Sequence, residues 1–259
     1  MPERIRGTAE EDNQENEKIV GRNPVIEALK AGRNIDRILV AKGAEGLGRL
    51  YAMAKEAGVP VKEVSPVKIE EESAGANAQG VMAFAAAHRY AEVEEIFKLA
   101  EERGEPPFIL LADGLEDPHN LGALIRTAEC CGAHGVIIPK RRSVGLSYTV
   151  SKTSAGALEY VPVARVTNLT DEIEALKKRG LWIFCADMDG QPLWQADMRG
   201  PIGLVVGAEG EGVGRLVKET CDFVVSLPMR GKIGSLNASV AASVVMYEAA
   251  RQRLGIPAR

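Results

Sequence analysis

Five polar residues of types suited to hydrogen-bond, acid–base or electrostatic chemistry lie in three separate segments of the chain: Asn120, Arg126, Glu209, Ser235 and Asn237. Each segment follows an apolar run typical of a buried strand, at Phe108–Ala112, Ile202–Val206 and Asp222–Leu227. Open α/β sheets bind ligands at the carboxyl ends of their strands. The spacing therefore predicts that these side chains share one binding site for a nucleotide-like ligand.

The backbone of the second and third segments favours the same interpretation. Gly207–Gly214 contains four glycines, which let the main chain approach a ligand closely, but it does not match the dinucleotide-binding GxGxxG pattern. After Pro228, a glycine-containing loop leads to Ser235 and Asn237, both good helix N-caps, and free N–H groups at a helix start can hold a ligand. Taken singly, each segment also fits an ordinary capped helix or a flexible connection.

The second half of the chain alternates predicted strands and helices, which indicates an α/β fold with a parallel sheet. Two strands are expected in addition to the three above, at Gly135–Ile138 and Leu181–Ala186. Helices are expected at Leu121–Cys131, Leu169–Lys178, Val213–Glu219 and Ala238–Leu254. Asn120 is expected to cap the first of them, with Arg126 pointing away from its apolar stripe.

The residues before this region show a smaller α/β pattern of their own. Strands are predicted at Ile38–Val40, Val61–Val64 and Val81–Ala86, and helices at Asn23–Gly32, Leu47–Ala57 and Val67–Ser73. Asn23 is expected to cap its helix. We expect a disordered acidic tail at 1–18, a small domain at 19–87, a linker with a helix at 88–107, and the larger domain at 108–259.

Composition excludes several classes of protein. The 259-residue chain has a net charge of −4, so an RNA-binding surface would have to be a local patch. No apolar run reaches membrane-spanning length, and the polar N-terminus lacks a signal-peptide core. The four cysteines have no CxxC spacing and form no metal pattern with the three histidines, so we expect reduced thiols in a cytoplasmic protein and no metal site.

Three stretches of the larger domain closely resemble the motifs of the SpoU (TrmH-like) branch of the SPOUT RNA methyltransferases. These are NLGALIRTAECCGAHGVII, IGLVVGAEGEGVGRL and VSLPMRGKIGSLNASVAASVVMYEA, and their order and spacing match as well. The N-terminal IVGRNPVIEAL and Gln79-Gly80-Val81 resemble the ribosomal-protein-L30-like domain of the 23S rRNA guanosine 2′-O-methyltransferase subgroup. Ala78 stands where that subgroup usually has His.

This resemblance implies a fold and a reaction that periodicity alone does not give. Members bind S-adenosylmethionine in a deep trefoil knot, dimerise through the knotted domain with the active site near the subunit boundary, and methylate a ribose 2′-hydroxyl without a metal. Arg126 matches the family's catalytic arginine, which we expect to hold phosphate and polarise the hydroxyl because a guanidinium stays protonated. Asn120 and Asn237 would orient Arg126 and the ribose, Glu209 would hold the arginine, and Ser235 would help to line the pocket. Positions that contact the cofactor's adenosine are matched by Gly207, Leu227 and Leu236.

Ribosomal RNA, 23S RNA above all, is the partner that the resemblance implies. We expect the RNA to meet a local basic surface, with candidates in both domains: Arg22, Arg33, Arg37, Lys140, Arg141, Arg142, Arg230 and Lys232.

Three alternatives stay open at this point. A tRNA ribose methyltransferase would more often carry a short helical extension in place of the N-terminal domain. A catalytically silent RNA-binding protein would not need Arg126, Glu209 and Asn237 intact. A nucleotide-dependent oxidoreductase would carry its glycine fingerprint after the first strand.

Overall fold

The computed structural model describes residues 18–73, 76–86 and 88–257, so the tail predicted at 1–18 falls almost entirely outside them. The chain divides into two compact units. The first contains the described residues up to 86 together with Leu146–Tyr148, and the second contains the remainder from His88 onwards. No helix in the described ranges is long and apolar enough to cross a membrane.

The first unit is a four-stranded mixed sheet with three helices. Its elements are β1 (Lys18–Val20), α1 (Arg22–Lys30), β2 (Ile35–Ala41), α2 (Gly48–Glu56), β3 (Val61–Val64), α3 (Pro66–Glu72) and β4 (Val81–Ala85). The strand order is β1-β4-β2-β3, with β2 parallel to β3 and antiparallel to β4. β4 is buried along its whole length, which explains its unbroken apolar sequence.

Two local features of this unit, β1 and the start of α1, differ from the sequence expectations, and the structure also places Ala78. β1 was not predicted, because three residues are too few to show an alternation. Gly21, at φ +104°, precedes the first turn of α1, so Asn23 lies inside the helix and does not cap it. Ala78 is buried among Leu39, Ile69 and neighbouring apolar side chains, and offers no side chain to a ligand.

The second unit is a six-stranded parallel sheet flanked by helices. Its elements are α4 (Val93–Arg103), β5 (Phe108–Ala112), α5 (Pro118–Cys130), β6 (Gly135–Pro139), α6 (Tyr148–Thr153), β7 (Val163–Val166), α7 (Leu169–Lys178), β8 (Trp182–Pro192), β9 (Ile202–Val206), α8 (Arg215–Thr220), β10 (Phe223–Ser226) and α9 (Ala238–Arg253). The strand order is β10-β8-β9-β5-β6-β7, and every pairing is parallel.

Helices cover both faces of this sheet. Ile109 and Leu111 of β5 belong to a cluster that includes Ile96 of α4 and Ile173 of α7. Leu110 alternates with them and is fully buried on the opposite side. α9 contacts β8 and β9 and packs against α5, where the hydroxyls of Thr127 and Ser243 lie 3.0 Å apart.

α6 and β7 were not predicted, and two further segments of this unit differ from the sequence expectations. Within the stretch expected to be a linker, α4 buries Ile96 and Ala100 and belongs to the second unit. β8 runs to Pro192, well beyond the predicted Ala186, because its polar end pairs with β10 after a register shift between Val224 and Val225.

Candidate active site

A cavity of about 520 Å³ lies where β9 and β10 end, beside Ala186–Met188 in the middle of β8. The loop after β9 and the segment that connects β10 to α9 supply much of its wall. Gly207, Leu227 and Leu236, the predicted adenosine-contacting residues, all line it, as do the predicted catalytic residues Glu209, Ser235 and Asn237. The structure therefore brings residues of the second and third segments to one cavity, and Asn120 and Arg126 of the first segment do not line it.

The wall formed by the loop after β9 is main chain packed on main chain. A Cβ atom at Gly207 would lie 2.1 Å from the carbonyl carbon of Gly212, closer than any side chain permits. Ala208 and Gly212 exchange two backbone hydrogen bonds of 3.2 and 3.0 Å, and Gly212 has φ +68°. The N–H of Gly214 donates to Oδ2 of Asp113 at 2.8 Å, so the end of β5 holds the far side of the loop.

Asn237 connects three parts of the site. Its Oδ1 accepts from the N–H groups of Ser239 at 3.0 Å and Val240 at 3.2 Å, so it caps α9 as predicted. Its Nδ2 donates to Oδ1 of Asn120 at 3.0 Å and also to Oε1 of Glu209. One side chain therefore begins a helix and joins the first and second segments.

Asn120 does not cap α5. Pro118 occupies the first turn, and Asp117 caps the helix by accepting from the N–H of His119 at 2.9 Å. Asn120 lies in the first turn of the helix at 6% exposure, and its side-chain carbonyl oxygen accepts from Asn237. Asp117 followed by Pro118 is a typical helix start, and it was overlooked because Asn120 is also a favourable N-cap residue.

Arg126 is exposed on α5 and does not line the cavity. Within the described part of the chain it has no hydrogen bond or ion pair, and the expected contact with Glu209 is not formed. Glu209 binds Asn237 instead, because the carboxylate lies within reach of the α9 start. The guanidinium is therefore available to an incoming anion.

Ser235 lines the cavity from the exposed segment before α9. It takes no part in the capping of α9, which depends on Asn237. Its role as a pocket-lining residue stays a prediction.

The basic residues expected to meet RNA fall in both units. In the first, Arg22 donates to the carbonyl of Glu45 at 2.8 Å and Arg37 stacks 4.3 Å from the ring centre of Phe84, whereas Arg33 is exposed. In the second unit, the more exposed side chains are Arg141, Arg142, Arg230 and Lys232, and Lys140 is half-buried.

Sequence reasoning missed an acidic residue of the cavity. Asp187 follows the apolar part of β8 and lines the cavity beside Met188. Its signal was its place directly after the strand predicted at Leu181–Ala186, because a similar place after a predicted strand identified Glu209. The ammonium of Lys218 contacts Oδ2 of Asp187 at 3.2 Å and, by its hydrogen bond, holds the pKa of the Asp189 carboxyl below its usual value.

The cavity suits an adenosine with a polar extension. Val225, Leu227 and Val245 offer apolar surface to a flat base, and Gly207 allows close approach of the backbone. Asp187 and Glu209 offer acceptors to hydroxyl groups or positive charge. The volume lies within the range usual for small-molecule and cofactor sites.

Comparison with known proteins identifies the family. The SpoU rRNA Methylase family matches residues 107–247, and the family described as RNA 2′-O ribose methyltransferase substrate binding matches residues 18–91. The TrmH family tRNA/rRNA methyltransferase YacO of Bacillus subtilis is 47% identical over 93% of this chain and 98% of its own length.

Solved structures show the same fold. The SpoU methyltransferase AviRb of Streptomyces viridochromogenes, solved in complex with AdoMet, covers 92% of this chain and 90% of its own at a TM-score of 0.57 and 24% identity. The TrmH/SpoU tRNA modifying enzyme of A. aeolicus covers 62% of this chain and 84% of its own at a TM-score of 0.52 and 28% identity. The chain belongs to the SpoU (TrmH-like) family of RNA methyltransferases.

Proposed function

We propose that this protein transfers a methyl group from S-adenosylmethionine to a ribose 2′-hydroxyl of RNA, most specifically to a guanosine of 23S rRNA. The observation that carries the proposal is the cavity whose glycine wall and α9 start are joined through Asn237. AviRb, which shares the fold, was solved with AdoMet. When bound, the cofactor supplies an electrophilic methyl group on a sulfonium.

The chain's own residues position the nucleophile. A ribose hydroxyl is a weak nucleophile, so it must be held in line with the methyl group. Arg126 is exposed and unpaired among the described residues, which suits a protonated guanidinium that binds a phosphate and polarises the adjacent hydroxyl. Asn120, Asn237 and Glu209 form a connected network that would orient the ribose at the mouth of the cavity.

The first unit supports ribosomal RNA as the substrate over tRNA. Residues 18–91 match a substrate-binding family, whereas the tRNA modifying enzyme from A. aeolicus covers only 62% of this chain. We propose that the small domain at 19–87 recognises RNA and that the catalytic region from residue 108 binds the cofactor. Phosphate and base contacts from one active site alone are too few to select a single ribose.

We also propose that the protein is a homodimer and that its C-terminal region forms the family's deep trefoil knot. The support for dimerisation is an apolar stripe on α9. Val240, Val244 and Tyr247 recur at helical spacing and are 49%, 38% and 56% exposed, and Trp194, 58% exposed, lines one surface cavity with Val244 and Tyr247. A second copy of this chain would cover the stripe. Sedimentation at micromolar concentration tests this proposal, and a monomer would contradict it.

A methyl-transfer assay tests the proposed function. The protein is incubated with tritiated S-adenosylmethionine and either unmodified 23S rRNA fragments or tRNA. We expect label in one 23S fragment, recovered as 2′-O-methylguanosine after nuclease digestion, and none in tRNA. Label in tRNA alone would replace the rRNA assignment, and no label in either RNA would overturn the proposal.

The free thiols and an RNA substrate support the cytoplasm as the location.

A further inference from the structure

Asp187 holds a distinctive position relative to the glycine loop. It lies at the cavity, where the apolar part of β8 ends, and β8 pairs directly with β9, the strand that leads into Gly207. Its Oδ2 would lie 3.8 Å from a methyl group placed on Gly212. A carboxylate thus stands on the strand next to the one that carries the loop, facing the same space.

The surroundings of Asp187 leave it able to accept further hydrogen bonds. Lys218 contacts Oδ2 at 3.2 Å, and the Asp187 side chain keeps 21% exposure. A carboxylate has about four acceptor positions, and one ammonium does not fill them. The same ammonium binds Asp189, whose side chain is 71% exposed and lies outside the cavity lining.

This arrangement has a known chemical use in α/β proteins. Where a glycine loop approaches a nucleotide, a carboxylate at the end of a neighbouring strand accepts hydrogen bonds from ribose hydroxyls. Val225 and Leu227 also line the cavity, suit the base and offer no side-chain acceptor, whereas the carboxylates of Glu209 and Glu211 lie on the glycine loop itself.

We propose that Asp187 accepts hydrogen bonds from the ribose hydroxyls of the cofactor's adenosine and so sets the affinity of the site for an unmodified ribose. The inference rests on the proposed function, because it takes the cavity to hold S-adenosylmethionine. It also has a corollary for specificity. A phosphate on that ribose would meet a carboxylate, so ligands with a phosphorylated ribose are excluded by like charge.

Calorimetry on the full-length protein without RNA tests the proposal. The ligands are S-adenosylmethionine, S-adenosylhomocysteine, and the 2′-deoxy and 3′-deoxy analogues of the latter. Asp187→Ala should weaken S-adenosylhomocysteine binding by about tenfold to a hundredfold, the range for a hydrogen bond to a charged group. Asp187→Asn should weaken S-adenosylhomocysteine binding less than Asp187→Ala does, because its amide oxygen still accepts a hydrogen bond, although a weaker one than a carboxylate accepts. Asp189→Ala, the matched control, should stay within about threefold of the wild type, since it removes only a rim carboxylate from Lys218.

The deoxy analogues separate direct recognition from a structural effect. If Asp187 binds the hydroxyls, at least one deoxy analogue should lose affinity for the wild type and be almost insensitive to Asp187→Ala. If Asp187→Ala leaves S-adenosylhomocysteine binding unchanged, or weakens every analogue equally, the proposal is overturned. If the wild type binds neither S-adenosylmethionine nor S-adenosylhomocysteine, the proposed function fails instead, and the two failures are distinguishable.

Discussion

The side-chain amide of Asn237 lies 3.0 Å from the side-chain carbonyl of Asn120, and the two residues are 117 positions apart in the chain. The orientation of the Asn237 amide follows from its other contacts. Its Oδ1 must face the N–H groups of Ser239 and Val240 to cap α9, so its Nδ2 faces Asn120 and Glu209. The start of α9 therefore sets the geometry of the polar network.

Replacing Asn237 separates these two roles. Asn237→Ser keeps a capping oxygen but removes the Nδ2 donor. The buried side-chain carbonyl of Asn120 then loses its hydrogen bond, so the free energy of unfolding should fall by about 1–2 kcal/mol. Asn237→Ala should cost about 1 kcal/mol more, because the cap is lost as well. Chemical denaturation measures both. Methyl transfer should fall about a hundredfold in each variant, since the ribose-orienting network is broken. Equal stabilities of the two variants would show that the Asn237 cap does not stabilise α9.

Arg126→Ala should abolish turnover and spare cofactor binding. The guanidinium does not line the cavity and has no partner in the described part of the chain, so its removal leaves the cofactor site intact. The rate should fall by about three orders of magnitude, as for one preorganised charged contact. Single-turnover kinetics and calorimetry measure the two effects, and near-normal turnover would exclude Arg126 from the mechanism. Arg126→Lys should rescue poorly, because a point charge does not replace the planar fork.

Gly207→Ala should destabilise the protein and remove cofactor binding together. The new methyl group would overlap the carbonyl carbon of Gly212 at 2.1 Å, and the obstacle is backbone, which has little room to move. We expect a loss of about 3 kcal/mol or more of unfolding free energy. Gly234→Ala is the matched control, since Gly234 also lines the cavity and a Cβ there meets nothing within 4 Å. A stable Gly207→Ala variant with normal binding would contradict the tight packing of this loop.

The buried His134 should make stability depend on pH. Its Nδ1 accepts from the N–H of Phe108 at 3.0 Å and its Nε2 lies 3.1 Å from Glu105. Burial lowers its pKa below 6.5, Arg103 and Arg253 act in the same direction, and Glu105 opposes them. The unfolded chain therefore binds the proton more readily than the folded one, so this stabilisation is complete above about pH 6.5 and is lost as pH falls through the folded pKa.

Thermal or denaturant unfolding between pH 8 and pH 5 measures this effect. His134→Asn is a suitable comparison, because its side-chain oxygen can accept from Phe108 without titrating. The variant should lose less stability than the wild type as the pH falls. Parallel curves for the two proteins would assign the acid sensitivity to other groups.

RNA affinity should depend strongly on salt despite the net charge of −4. Each phosphate contact releases counterions, so affinity should fall about tenfold or more between low and physiological salt. Arg141 and Arg142 are exposed, and replacing both with Gln should reduce the salt slope by about 2, one for each lost contact. Arg199→Gln is the control, because Asp197 already occupies that exposed guanidinium through two hydrogen bonds. A flat salt response would show that these are scattered solubilising charges.

Much of the second unit could be predicted from sequence because its strands are buried on both faces. β5 and β9 have the expected bounds, since unbroken apolar runs end sharply at polar or glycine residues. α7 also has its predicted bounds, with Asn168 as its cap. β7, at Val163–Val166, was missed because four residues containing an arginine carry too little pattern.

Part of the set of residues at the cavity could be predicted, and the contacts among them could not. Strand ends and family resemblance placed Glu209, Ser235 and Asn237 at one cavity. They did not show that Glu209 contacts Asn237 rather than Arg126, because that pairing depends on where α9 starts relative to the glycine loop. Contacts between separate segments of the chain depend on tertiary geometry that spacing along the chain does not contain.

The glycine wall of the cavity has a consequence for inhibitor design. At Gly207, where a Cβ would lie 2.1 Å from the carbonyl carbon of Gly212, main chain rests directly on main chain. A compound that contacts this wall binds to backbone peptide groups, which are chemically the same in every enzyme with the same loop packing. Selective compounds would therefore gain little from this side of the cavity. They would have to address side chains that can vary, such as those of Asp187 and Met188 on β8, the strand next to β9.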